Sequence, residues 1–106
     1  MNRSEHLLSC LAEECAEVAQ RVSKALRFGL QEIQPGQSLT NAERIEQELS
    51  DLIAVAAMLN EEDILDMDGL DSEAVDRKQA KVEKFMVYAV EQGALTEPAP
   101  IPATAA

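Results

Sequence analysis

Apolar residues recur at alternating three- and four-residue steps along most of the chain, the period of one face of an α-helix. Leu8, Leu11, Cys15, Val18, Val22 and Ala25 mark the first stripe. Its helix is predicted to start near Arg3, capped by Asn2 or Ser4, and to end at Phe28, where Gly29 supplies a left-handed stop. From Gly29 to Thr40, the glutamines, Pro35, Gly36 and Ser38 read as a loop long enough to cross the end of a bundle. Thr40 followed by Glu43 is a capping box, so a second helix is expected from about Asn41 to about Asn60, burying Ile45, Leu49, Leu52, Ala56 and Leu59. Residues 61–71 predict one short helical turn around Ile64 and Leu65, broken at Asp68-Gly69. A third long helix, capped by Asp71, is expected from Ser72 to about Gln92, with Gly93 as its stop and Ala74, Val75, Val82, Phe85, Met86 and Ala89 as its stripe.

No stretch alternates with β-branched residues for long, and no repeat is visible. The fold class expected is therefore all-α: an antiparallel helical bundle of three long helices plus one short one. A chain of 106 residues allows one domain, here residues 1–93. Residues 94–106, with Pro98, Pro100 and Pro102 among alanines, read as an extended, disordered tail.

Composition narrows the function. A net charge of −11 makes the average surface repel nucleic acid and anionic membranes, so neither is an expected partner. A phosphate-bearing ligand must then be met by a bound cation or by a few placed basic residues. No long apolar run and no basic-then-apolar start is present, and a soluble cytoplasmic protein is expected. Cys10 and Cys15 point different ways on one helix, which rules out a local disulfide, and neither has a basic neighbour to activate it.

Several charges stand where packing alone would select an apolar residue. Glu14 falls on the shoulder of the first stripe, with Glu17 further round; Glu48 projects between Val55 and Leu59, with Asp51 at the edge of that face. Each pair is spaced i, i+3, which puts both carboxylates on one helix face. Four carboxylates from two antiparallel helices make an oxygen-lined cage suited to a hard divalent cation, Mg2+ with Mn2+ as a substitute. The bland alternative for Glu48 is a buried ion pair with Lys78 or Arg77, and Glu14 and Glu17 taken alone would be solvated charge. Lys78 projects from the third stripe and Lys81 from its shoulder; they are candidate phosphate contacts, although lysine stems also lie along core edges. Lys24 and Arg27 can serve the same end or balance Glu17 and Glu13, and Phe28 can stack on a base or simply close the core. Asp66, Asp68 and Gly69 match part of an EF-hand loop, but Ile64 and Val75 fall on its first and last ligand positions. The single histidine, His6, lies on the polar side of the first helix, which argues against a Glu-x-x-His di-iron site.

The runs Leu11-Ala12-Glu13-Glu14-Cys15-Ala16-Glu17-Val18, Lys24-Ala25-Leu26-Arg27-Phe28-Gly29 and Glu48-Leu49-Ser50-Asp51-Leu52 resemble the signature of MazG-like all-α nucleoside triphosphate pyrophosphohydrolases. The likeness is strongest to short single-domain versions, some of them phage-encoded, and covers roughly residues 5 to 93. It implies that Glu14, Glu17, Glu48 and Asp51 hold Mg2+ while a nucleoside triphosphate is cut between its α and β phosphates. Water is then the expected nucleophile, with Glu14 as first proton acceptor and Glu13 as second. The resemblance also implies a homodimer or homotetramer, for which Ile53, Ala57, Val87 and Val90 lie outside the main stripes. The alternative from another class is a non-catalytic acidic adaptor that binds a basic partner protein.

Overall fold

A computed structural model of the chain describes residues 1–68, 70 and 72–96. Three helices follow in order: α1 (Arg3–Phe28), α2 (Asn41–Glu61) and α3 (Ser72–Glu91). Among the described residues there is no strand, only an isolated bridge between Ile33 and Thr40. The capping chemistry explains the bounds. The Asn2 side chain accepts from the Glu5 amide, Gly29 stops α1 at φ 102°, and Thr40 and Glu43 form the reciprocal capping box of α2. Bonds to Thr40 hold the Glu43 carboxyl below its ordinary pKa.

The short helix expected after α2 is replaced by turns. Asp63 takes a left-handed φ of 58°, and the amides of Ile64 and Leu65 both donate to the Leu59 carbonyl. The Asn60 side chain accepts from the Met67 amide at 3.0 Å, so the chain winds back onto the end of α2 instead of starting a new helix. The expected cap Asp71, the break at Gly69 and residues 97–106 of the expected tail lie outside the described residues.

The chain divides into two compact units, Met1–Met67 and Asp68–Ala106. The first is an antiparallel hairpin of α1 and α2, pinned at both ends. At the open end Arg3 Nε donates to both carboxylate oxygens of Glu62, at 3.1 and 3.0 Å. At the loop end Asn41, 2% exposed, donates from Nδ2 to the Gly29 carbonyl at 2.8 Å and to Glu32 Oε1 at 2.9 Å. The loop is held by further bonds from the Asn41 amide to the Glu32 carbonyl and from the Ala42 amide to the Leu30 carbonyl.

The seam between the helices is rotated from the expected one. On α1 the positions turned inward are Leu7, Leu11, Glu14, Val18, Arg21 and Ala25; on α2 they are Asn41, Ile45, Glu48, Leu52, Val55 and Leu59. Leu11, Val18 and Ala25 are as predicted, but Leu8, Cys15 and Val22 are exposed, as is Leu49. The physical reason is that α1 has more apolar circumference than one partner helix covers. The buried side includes Glu14 and Arg21, and Leu59 and Leu7, fully or nearly fully buried, seal the open end beyond them.

The second unit centres on α3. Ala74, Met86 and Ala89 of its expected stripe are half-buried, whereas Val75, Val82 and Phe85 are exposed. After the helix, Gly93 at φ 75° lets the amides of Ala94 and Leu95 donate to the Ala89 carbonyl.

Two substitutions test the loop-end pins by urea unfolding followed by far-UV circular dichroism. Asn41→Ala removes both Nδ2 bonds, to the Gly29 carbonyl and to Glu32 Oε1, and is expected to cost about 2 kcal/mol. Thr40→Ala removes only a cap and is expected to cost about 1 kcal/mol. Equal, negligible losses would show that the loop does not depend on these bonds.

Candidate metal centre

Midway along the hairpin, Glu14 and Glu17 of α1 meet Glu48 of α2. One carboxylate oxygen from each lies within 4.8 Å of the other two, and all three residues are half-buried. The register explains the meeting: with Arg3 against Glu62 and Asn41 against Gly29, the middle of α1 is level with the middle of α2. A three-residue step puts Glu14 and Glu17 a turn apart on adjoining parts of one face.

The acids are not neutralised by neighbouring bases. Glu14 Oε2 and Glu48 Oε2 are buried without a hydrogen-bond partner. Among the described residues the ion pairs are Arg3 with Glu62 and, within α3, Arg77 with Glu73. Burial raises the Glu14 pKa above its ordinary value of 4.5, and the charges of Glu17, Asp51 and Glu13 add to the rise. Glu17 is raised chiefly because Glu48 is close enough to share a proton with it; Glu48 and Asp51 charge adds to this, while a contact with Glu13 opposes it.

An all-oxygen donor set, two orphaned buried oxygens and mutual repulsion fit a hard divalent cation such as Mg2+ or Mn2+. Asp51 is exposed; its charge reaches Glu14 and Glu17, but its oxygens stand outside the closest group. Glu13 is likewise exposed beside the cluster.

Other candidate residues fall into two places. Lys24 and Phe28 line one pocket of about 250 Å3 at the loop end of the hairpin, with Glu32, Gln34, Pro35 and Asn41. The Arg27 guanidinium lies 5.4 Å from the centre of the Phe28 ring, a cation–π contact. Lys78 and Lys81, in the second unit, line an apolar groove of about 480 Å3 with Val82, Phe85 and Met86. His6 is exposed and both cysteines are free.

Sequence reasoning missed Arg21. Its Nη1 is buried without a hydrogen-bond partner, four residues after Glu17 and seven after Glu14 on the inward face. That spacing was the available signal, since it repeats the step between the acids and their neighbours in the seam. Asn41 was also missed as a buried amide; it falls four residues before Ile45 in the α2 seam.

Comparison with known proteins gives a family match. A family model described as the MazG nucleotide pyrophosphohydrolase domain matches residues 2–84, which takes in the hairpin and its acids. No curated protein and no solved structure matches the chain. An all-α chain whose first two helices converge on a carboxylate cluster, matched over most of its length, belongs to the MazG nucleotide pyrophosphohydrolase family.

Proposed function

We propose that the protein hydrolyses nucleoside or deoxynucleoside triphosphates to the monophosphate and pyrophosphate, with Mg2+ held by Glu14, Glu17 and Glu48 and completed by Asp51. The observation that carries this reading is the convergence of three carboxylates within 4.8 Å, two with orphaned buried oxygens, in a member of a nucleotide pyrophosphohydrolase family. When bound, the cation offsets the negative charge of the triphosphate and acidifies a nucleophilic water. It also resolves a conflict of charge, since a protein of net charge −11 otherwise repels such a substrate.

The chain's own residues supply the rest. Glu14, with a raised pKa and a free buried oxygen, is the acceptor for the proton of the attacking water; Glu13, beside it and exposed, is the second candidate. Arg21 offers a guanidinium nitrogen with no protein partner and is the phosphate contact this face supports best. The described residues include a histidine, His6, but it is exposed on the first turns of α1, away from the acids, and supports no part in the chemistry.

The test is pyrophosphate release from a panel of triphosphates. Glu14→Gln and Glu48→Gln are expected to abolish it with helix content intact, and Arg21→Gln to raise KM. Added Mg2+ should raise the Tm of the wild type and leave that of Glu48→Gln nearly unchanged. Full activity in either carboxamide variant would defeat the assignment, and a Tm indifferent to Mg2+ would favour the acidic adaptor.

The raised carboxyls also set a pH dependence. For Glu17, a folded-state pKa above 4.5 means that its stability contribution is present below 4.5 and lost as pH rises through the folded value. In metal-free protein, Glu17→Gln is therefore expected to be more stable than wild type at neutral pH, with the gap closing as pH falls toward 4.5. Thermal melts in chelator across that range would show it; a gap that widens on acidification would contradict it.

The unit of function proposed is a homodimer or homotetramer. Leu8, Val22, Leu49 and Ile53 leave both helices of the hairpin with exposed apolar surface, which a second copy would bury. Sedimentation equilibrium should find no monomer in the wild type at micromolar concentration, and Ile53→Glu should release it. A monomeric wild type would refute this part.

A further inference from the structure

The pocket at the loop end of the hairpin has no part in holding a cation, yet it lies on the same face as the acids. Glu17, Arg21, Lys24 and Phe28 follow one another at steps of four, three and four, which stacks them in a row along α1. Lys24 is seven residues beyond Glu17, a rise of about 10 Å along the helix. Acid cluster, guanidinium, ammonium and aromatic ring therefore come in the order in which a nucleotide presents phosphates, sugar and base. The pocket volume of about 250 Å3 is below that of sites which take a whole small-molecule ligand and suits a flat ring.

Its polar groups are fixed in orientation. Glu32 Oε1 accepts from Asn41 Nδ2, which in turn is tied to the Gly29 carbonyl, and a carboxylate leaves Oε2 as a further acceptor. Gln34 Oε1 accepts from Arg44 Nη1 at 3.1 Å, so its amide nitrogen is the end left to donate. Phe28, 60% exposed and partnered on one side by Arg27, offers ring surface for stacking. The pocket thus presents the Glu32 carboxylate as acceptor and the Gln34 amide as donor beside an aromatic face, with the Lys24 ammonium as a further donor one turn of α1 nearer the acids.

Resting on the reading given above, we propose that this pocket binds the nucleobase and selects bases that carry an exocyclic amino group, cytosine, adenine and guanine, over uracil and thymine. Glu32 accepts from the amino group, Gln34 donates to a ring nitrogen or carbonyl beside it, and Phe28 stacks on the ring. A uracil or thymine edge instead places keto oxygens on both sides of its single N–H, and these repel the Glu32 carboxylate.

The experiment compares kcat and KM for dCTP, dATP, dGTP, dTTP and dUTP with Mg2+ in wild type, Glu32→Gln and Phe28→Ala. Gln at position 32 keeps the acceptor for Asn41, so the loop is preserved. Wild type is expected to favour the amino-base substrates by about tenfold or more in kcat/KM. Glu32→Gln should bring that ratio to within about threefold with kcat retained, and Phe28→Ala should raise KM for every substrate by about tenfold. An unchanged ratio in Glu32→Gln, or variants that lose kcat at constant KM, would overturn the proposal. If wild type releases pyrophosphate from no triphosphate, the activity reading fails instead, and the pocket is judged by NMR titration of metal-free protein with CMP and UMP. Shifts confined to the backbone of residues 24–44 and stronger for CMP would uphold it, and equal or absent shifts would end it.

Discussion

Like charges held together inside a helical seam are the constraint on which the rest of this structure depends. Three carboxylates within 4.8 Å, two of which, Glu14 and Glu17, are raised in pKa by burial and by neighbouring acids, oppose the association of α1 and α2 at its midpoint. The hairpin closes nonetheless because both of its ends are fixed. Leu7 and Leu59 seal one end beside the Arg3–Glu62 ion pair, and Ala25 and Asn41 close the other beneath a hydrogen-bonded loop. The ends hold the hairpin closed, and the middle gathers its acids. A divalent cation held there, as proposed, would turn the repulsion of the middle into attraction, and binding and folding would reinforce each other.

This division explains which features could be read from the chain. Helix bounds depend on local groups, and Asn2, Gly29, the Thr40–Glu43 box and Gly93 each act within a few residues of where they stand. Glu48 was also legible, because an acid flanked by Val55 and Leu59 has no apolar explanation. The rotation of α1 was not. Leu8, Cys15 and Val22 form a better apolar stripe than Leu7, Glu14 and Arg21, and an argument from hydrophobicity prefers them. The helix instead turns the polar set inward, a local violation of patterning of the kind that marks a functional site.

Longer-range effects were illegible for the same reason. The reversal after α2 depends on Leu59 and Asn60 accepting bonds from residues 64–67, and a short apolar run there gave a helical signal that these bonds override. The pocket at the loop end arises from a network among Glu32, Gln34, Asn41 and Arg44, none of which stands out by type or spacing. Lys24 and Phe28 were identifiable as ligand-facing candidates, but their common pocket required the loop to be in place.

The central claim is that the middle of the α1–α2 seam is a cation site. The most direct measurement is anomalous X-ray scattering from crystals grown with Mn2+. An anomalous peak is expected in the seam, at coordination distance from carboxylate oxygens of Glu14, Glu17 and Glu48. A seam without a peak, its three acids neutralised by protein side chains, would show that no cation site exists there.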